Sequence, residues 1–133
     1  PWRKAEIPAA NGHGTAAGIA KFFGILANDG QRDGKKLLSP EIIEQATTVR
    51  TSGPDLVLFQ APYKFGLGYM IDAPFSPIGM KKGMFGHTGI AGSAGFADLN
   101  NKVGFGFTNN RQHSLGKLYR TSNNLAKKLY EIL

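Results

Sequence analysis

The sequence predicts an α/β fold of the α+β kind, an antiparallel sheet with flanking helices. Three patterns in its 133 residues carry that expectation. Residues 93–109 alternate around an Asn100-Asn101 turn, with Val103, Phe105 and Phe107 on one face and Gly104, Gly106 and Thr108 on the other, which is the period of a β-hairpin. Ile19, Phe22, Phe23 and Leu26 recur at i, i+3, i+4 and i+7, the period of a helix. Leu115, Leu118, Ser122, Leu125, Leu129 and Ile132 repeat at spacings of three and four and form a second helical stripe.

Taken in order, residues 1–14 read as an extended lead-in, ended by Pro8 and the Asn11-Gly12-His13-Gly14 turn. Thr15 is a good N-cap for the first helix, and Asn28-Asp29-Gly30 closes it, with Gly30 able to take the left-handed conformation past the last turn. Gln31-Arg32-Asp33-Gly34 is a turn. Ser39-Pro40 then starts a second helix, Ser supplying the cap oxygen and Pro the fixed φ of the first helical position. Glu41 favours the same helix dipole, and Ile42, Ile43, Ala46 and Val49 give it a short apolar stripe. Residues 51–62 read as loop because of Gly53-Pro54 and Pro62; residues 65–71 read as a strand, followed by a loop through Pro74 and Pro77. Two glycines inside the last strand mark a close backbone approach. The terminal helix, capped by Ser114 and running over residues 115–132, is the candidate to lie over Gly104 and Gly106, with Gly95 and Ala97 aligned on that small-residue face. The face of Phe105 and Phe107 and the strand at 65–71 would then need cover from outside the chain, which predicts a homo-oligomer, an exchanged element or an aggregation-prone chain.

Composition bounds the alternatives. With 41% hydrophobic and 11% aromatic residues the chain can bury one ordinary core. No apolar run approaches the roughly 20 residues that span a bilayer, so no membrane segment is expected, and Pro1 to Pro8 carry no apolar core of a signal peptide. Zero cysteines exclude disulfides and thiolate metal sites and leave the compartment open. A net charge of +7 raises the question of nucleic acid. Lys35-Lys36, Lys81-Lys82 and Lys127-Lys128 are scattered doublets without interleaved aromatics, so a solvated surface is the better account and no nucleic-acid partner is expected. His13, His87 and His113 have no i, i+4 pairing and no carboxylate partner in sequence, so no metal site is expected.

The chemistry concentrates at residues 85–110. A strand ends in His87-Thr88-Gly89, a glycine-rich link runs through Ile90 to Gly92, and the hairpin follows, ending in Thr108-Asn109-Asn110 before the terminal helix. Upstream stand Pro8-x-x-Asn11-Gly12-His13-Gly14-Thr15-Ala16, before an apolar helix, and Phe65-Gly66-Leu67-Gly68-Tyr69. In this order the segments resemble the penicillin-recognising serine hydrolases, namely class C β-lactamases, DD-peptidases and related esterases, whose third active-site motif is Lys-Thr-Gly or His-Thr-Gly. The resemblance covers nearly the whole chain, and it implies the C-terminal portion of a β-lactamase/transpeptidase-like fold over residues 1–133. The family's Ser-x-x-Lys and Tyr-x-Asn motifs precede that triplet, and neither is found before residue 85. The resemblance therefore implies a missing N-terminal part of the same protein as partner.

By the same resemblance the backbone N–H of Ile90 is half of an oxyanion hole, Thr88 offers a hydroxyl to substrate, Gly89 keeps the strand edge open, and His87 stands where many relatives have Lys. A lysine is cationic throughout the working range, whereas an ordinary imidazole, with a pKa of ~6.5, is mostly neutral at neutral pH. Attraction for a substrate carboxylate is weaker, which favours esters, amides or peptides over penicillins. The implied activity is acyl transfer through a serine acyl-enzyme with no metal or organic cofactor; the chain alone, lacking nucleophile and base, should be inert. The alternative is a non-catalytic scaffold or assembly protein of the same family. His13, between two glycines, reads first as a turn residue and second as a substrate contact. Ser114-Leu115-Gly116-Lys117 and Ser122-Asn123-Asn124 spell Ser-x-x-Lys and Ser-x-Asn, but they follow the triplet, the reverse of the family order, and read as chance.

Overall fold

Thr15 caps the first helix as its sequence position predicts, its Oγ1 accepting the Gly18 N–H at 3.0 Å, and α1 runs Ala16–Ala27. Gly30 closes it at φ +76°, where an added Cβ would meet the Leu38 carbonyl. A small hairpin follows, β1 (Gln31–Arg32) against β2 (Lys35–Lys36). Ser39 Oγ accepts the Ile42 N–H at 3.3 Å and opens α2 (Pro40–Thr47). The structure, a computed structural model, describes residues 4–8, 12–73, 79–114 and 117–133. The loop of Pro74 and Pro77, Asn11 and Leu115 lie outside the described residues.

The remaining strands form one antiparallel sheet in which every neighbour is the next strand in sequence: β3 (Thr51–Pro54), β4 (Pro62–Phe65), β5 (Met70–Ile71), β6 (Met84–Thr88), β7 (Ala94–Asp98) and β8 (Val103–Phe107). The three strands expected over residues 84–109 are present, with Gly95 opposite Gly106 and Ala97 opposite Gly104. Two expectations upstream are corrected. Residues 51–62 hold a strand, a turn and the start of its partner strand, because Pro54 and Pro62 face each other at the last rung, where a strand end can do without the N–H that proline lacks. Residues 65–71 are two strands, since Gly66 packs against the Ala46 carbonyl and Gly68 turns at φ +83°.

The largest correction concerns the faces of the sheet. The helix over Gly95, Gly104 and Gly106 is α1, not the terminal one. A Cβ on Gly104 would meet the backbone of Gly24 and Ala20, and one on Gly106 would meet the backbone of Ala16 and Ala20. Ala16, Ala20 and Gly24 recur every fourth residue and form a smooth ridge that lets helix and strand backbones touch. The terminal helix α3 (Arg120–Ile132) covers the phenylalanine face instead. Ser122 and Ala126 are buried there, Tyr130 stacks on Phe96 with ring centres 6.4 Å apart, and Phe96 stacks on Phe105 at 4.8 Å. A helix whose inner face carries Tyr130 cannot reach a glycine backbone closely. Leu125 and Ile132, expected inside, are exposed. Ser114 does not cap α3: the residue before its first turn is Tyr119, and the Ser114 carbonyl instead accepts the Lys117 N–H in a preceding turn. One core thus lies on each side of the sheet, Phe23, Leu26, Ile43 and Phe85 on one and Met70, Met84, Phe96 and Ala126 on the other. The faces for which the sequence predicts outside cover are largely covered from within, with Met70 and Ile71 buried and Phe105 and Phe107 half-buried.

α3 is locked to the sheet by one buried carboxylate. Asp98 accepts hydrogen bonds from the backbone N–H groups of Asn100 and Asn101, from the Asn101 side chain, and from the Tyr130 hydroxyl at 2.7 Å. Burial pushes the Asp98 carboxyl up, but the Asn101 and Tyr130 side chains and the two backbone donors outweigh it and hold the group below its ordinary value. Burial, and then the hydrogen bond that the phenol donates to the Asp98 carboxylate, raise the Tyr130 phenol. A carboxyl lowered by folding adds stability that is fully present above its unfolded value of about 3.9 and is lost as pH falls through the folded value. Chemical denaturation of the full-length protein should therefore show a decline in stability below about pH 4. In Asp98→Asn the acid decline should be shallower, and stability at pH 7 should drop by about 1–3 kcal/mol. An unchanged acid limb in that variant would remove Asp98 as its source.

Candidate active site

The His-Thr-Gly motif lies at an open corner of the sheet, at the end of β6. β5 pairs only with Phe85 and Gly86, so His87 and Thr88 are paired on the β7 side alone, opposite Gly95 and Ala94. The strand alternation sends the two side chains to opposite faces. His87 is exposed, its Nδ1 lies 2.8 Å from its neighbour's Thr88 carbonyl, and its ring sits 6.0 Å from that of Phe65. Thr88 is buried on the Met84 and Phe96 face.

Past the strand the chain makes a three-residue hairpin loop. The Gly89 N–H donates to the Ser93 carbonyl at 2.9 Å and the Gly92 N–H to the Gly89 carbonyl at 2.8 Å, with Gly92 at φ +98° in the position such loops reserve for glycine. Ile90 and Ala91 are the central residues of the turn. The side chain of Ile90 is 68% exposed, and among the described residues no acceptor meets its N–H. A Cβ on Gly89 would meet Ser93 Oγ at 2.5 Å, so the serine hydroxyl would have to turn away.

Asn109, which the sequence marks only as the end of a strand, braces this turn. Its Nδ2 donates to the Ala91 carbonyl and to the Arg111 carbonyl, each at 2.7 Å. Gly92 abuts the Leu118 carbonyl from the other side. The turn is therefore held by the segment that leads into α3, eighteen residues on from Ala91 at its nearest point. No local pattern in the sequence could have signalled that contact.

The other candidates lie apart. His13 is exposed, in the segment before α1, whose first turns touch Gly106 and Gly95 at the same end of the sheet as His87. His113 Nε2 lies 3.5 Å from Thr121 Oγ1 on the surface. Ser122 is fully buried and donates to the Tyr119 carbonyl at 3.1 Å, so its hydroxyl is neither accessible nor activated. Among the described residues no group of three or more His, Cys, Asp or Glu side chains could hold a metal ion, and no helix is long and apolar enough to cross a membrane.

Comparison with known proteins identifies the family. Over 112 residues the chain is 41% identical to the esterase/β-lactamase LipL of Mycobacterium tuberculosis, covering 84% of this chain and 25% of that protein. It thus spans about a quarter of that relative's length. Among solved structures, a penicillin-binding-protein homologue from Caulobacter crescentus superposes with a TM-score of 0.75 at 40% identity, over 84% of this chain and 30% of that one. A family VIII carboxylesterase superposes with a TM-score of 0.72 at 30% identity, over 94% and 35%. The model of the Beta-lactamase family matches residues 1–128, and the chain belongs to that family.

Proposed function

We propose that the intact protein is a serine hydrolase that cleaves an ester, amide or peptide through an acyl-enzyme, and that residues 1–133 are the C-terminal segment of its catalytic domain. The observation that carries the reading is the N–H of Ile90, which has no acceptor among the described residues, on a braced turn directly after the triplet. A developing oxyanion needs donors fixed before the reaction begins, and a turn held by Asn109 and Gly92 supplies one. Thr88, through its hydroxyl, and Gly89, whose bare Cα keeps the edge low, serve as substrate contacts; His87 takes the place of the family's lysine and favours uncharged acyl groups. The serine, its base and the second oxyanion donor come from the missing N-terminal part, and the chemistry asks for no metal or organic cofactor. That acylation and deacylation share one serine is the logic of covalent catalysis.

The test compares two proteins. The full-length protein should be labelled by a fluorophosphonate on a serine outside residues 1–133 and should hydrolyse p-nitrophenyl acetate. The isolated 133-residue chain should do neither above background. An adduct on Ser93, Ser114, Ser122 or another serine of this segment would overturn the assignment of roles, and a full-length protein that is neither labelled nor active would make the chain part of a non-catalytic scaffold.

A further inference from the structure

A cleft of about 350 Å³ opens between β3, β4 and the turn that joins them. Leu56, Val57, Pro54, Tyr63 and Phe65 line it. The turn is firmly built: Asp55 Oδ1 accepts the N–H groups of Val57 and Leu58 at 2.9 and 2.8 Å, the Gln60 N–H returns to the Asp55 carbonyl, and Leu58 packs into the core. Yet the same turn holds Leu56, Val57 and Phe59 at 88, 84 and 88% exposure. Three large apolar side chains on one anchored turn are an unusual concentration for a surface. The cleft also runs on towards the chemistry, because the Tyr63 and Phe65 rings lie 6.1 Å apart and Phe65 lies 6.0 Å from His87.

Resting on the hydrolase reading above, we propose that this cleft is the subsite for the apolar chain of an ester substrate, with Phe65 and Tyr63 as its floor and Leu56 and Val57 as its outer wall. The aromatic run from Tyr63 through Phe65 to His87 places an alkyl chain lying on it next to a carbonyl held at the end of β6. Burial of each added methylene is worth about 0.8 kcal/mol, or roughly four-fold in kcat/KM. The substrates this subsite selects are therefore esters with medium-length alkyl chains rather than acetates.

The experiment uses the full-length protein and two series of p-nitrophenyl or alkyl esters, one lengthening the acyl chain and one the alcohol. In the wild type, kcat/KM should climb with chain length in one series by roughly four-fold per methylene until the cleft is full. In Leu56→Ser/Val57→Ser the ratio of long-chain to acetyl kcat/KM should fall by about ten-fold or more. The ratio is taken within each protein, so a general loss of activity cancels, and side chains so exposed should leave the melting temperature in place. A second measurement reads occupancy directly. Val57→Cys should react with a maleimide, located by mass spectrometry, and decanoate should slow that reaction whereas acetate should not. An unchanged ratio, or a residue 57 that is unreactive because the rest of the protein covers it, would overturn the subsite while leaving the hydrolase reading intact. Absence of turnover with every ester, acetate included, would overturn both.

Discussion

Replacing Ile90 with proline in the full-length protein should lower kcat by about 10²–10³, the typical loss for one oxyanion donor. The substitution is chosen for its economy. Ile90 is the second residue of the Gly89–Gly92 turn, the position at which proline's fixed φ fits turns of types I and II. Its N–H has no acceptor among the described residues, so removing it breaks no bond of the fold. The melting temperature should stay close to wild type, and KM should change far less than kcat, because the lost interaction strengthens only as charge develops on the carbonyl oxygen. Ile90→Ala, which keeps the N–H, should lose much less. Equal losses in the two variants would mean that the Ile90 side chain, not its N–H, matters for the reaction.

The second large effect is on stability. Gly104→Leu should cost about 3 kcal/mol or more, at the upper end of overpacking, and Gly104→Ala already about 1–3 kcal/mol. Most overpacked sites relax by shifting a side chain, but here the obstruction is the backbone of Gly24 and Ala20 in α1. Against a typical domain stability of about 5–15 kcal/mol, that is a severe loss. Denaturant titration gives the magnitude, and hydrogen exchange gives the location: protection should fall first in α1 and persist in α3. Early loss from α3 would place that helix, rather than α1, against Gly104.

How far the sequence could be read depends on the distance over which each feature is determined. Thr15, Ser39 and Gly30 act on atoms within a few residues, and their roles are legible directly. So is the β6–β8 region, because alternation and a short turn set its register locally. The strand at 65–71 misleads because Phe65, Leu67 and Tyr69 alternate with glycines just as a strand would, while Gly66 and Gly68 are turning the chain. The assignment of helices to faces was beyond a search for apolar stripes. In α1 the decisive residues are Ala16, Ala20 and Gly24, which such a search passes over, and in α3 they are Ser122, Ala126 and Tyr130, not the leucines between them. At the candidate site the triplet is local and readable. The Asn109 brace joins the turn after β6 to the segment beyond β8, the Phe65 contact with His87 joins two strands, and both exist only once the sheet has formed.

Every neighbouring pair in the six-stranded sheet is consecutive in the chain, so its assembly proceeds by closing a series of short loops, each at small entropic cost. The meeting of Gly24 with Gly104 is the exception, since most of the chain lies between them. Contacts of such long range are the slow ones in folding, since the loop must close before the contact rewards it. The layer that α1 forms is thus the last that topology favours, and the bare glycine surface beneath it lets a late-arriving helix settle at backbone contact without first displacing any side chain.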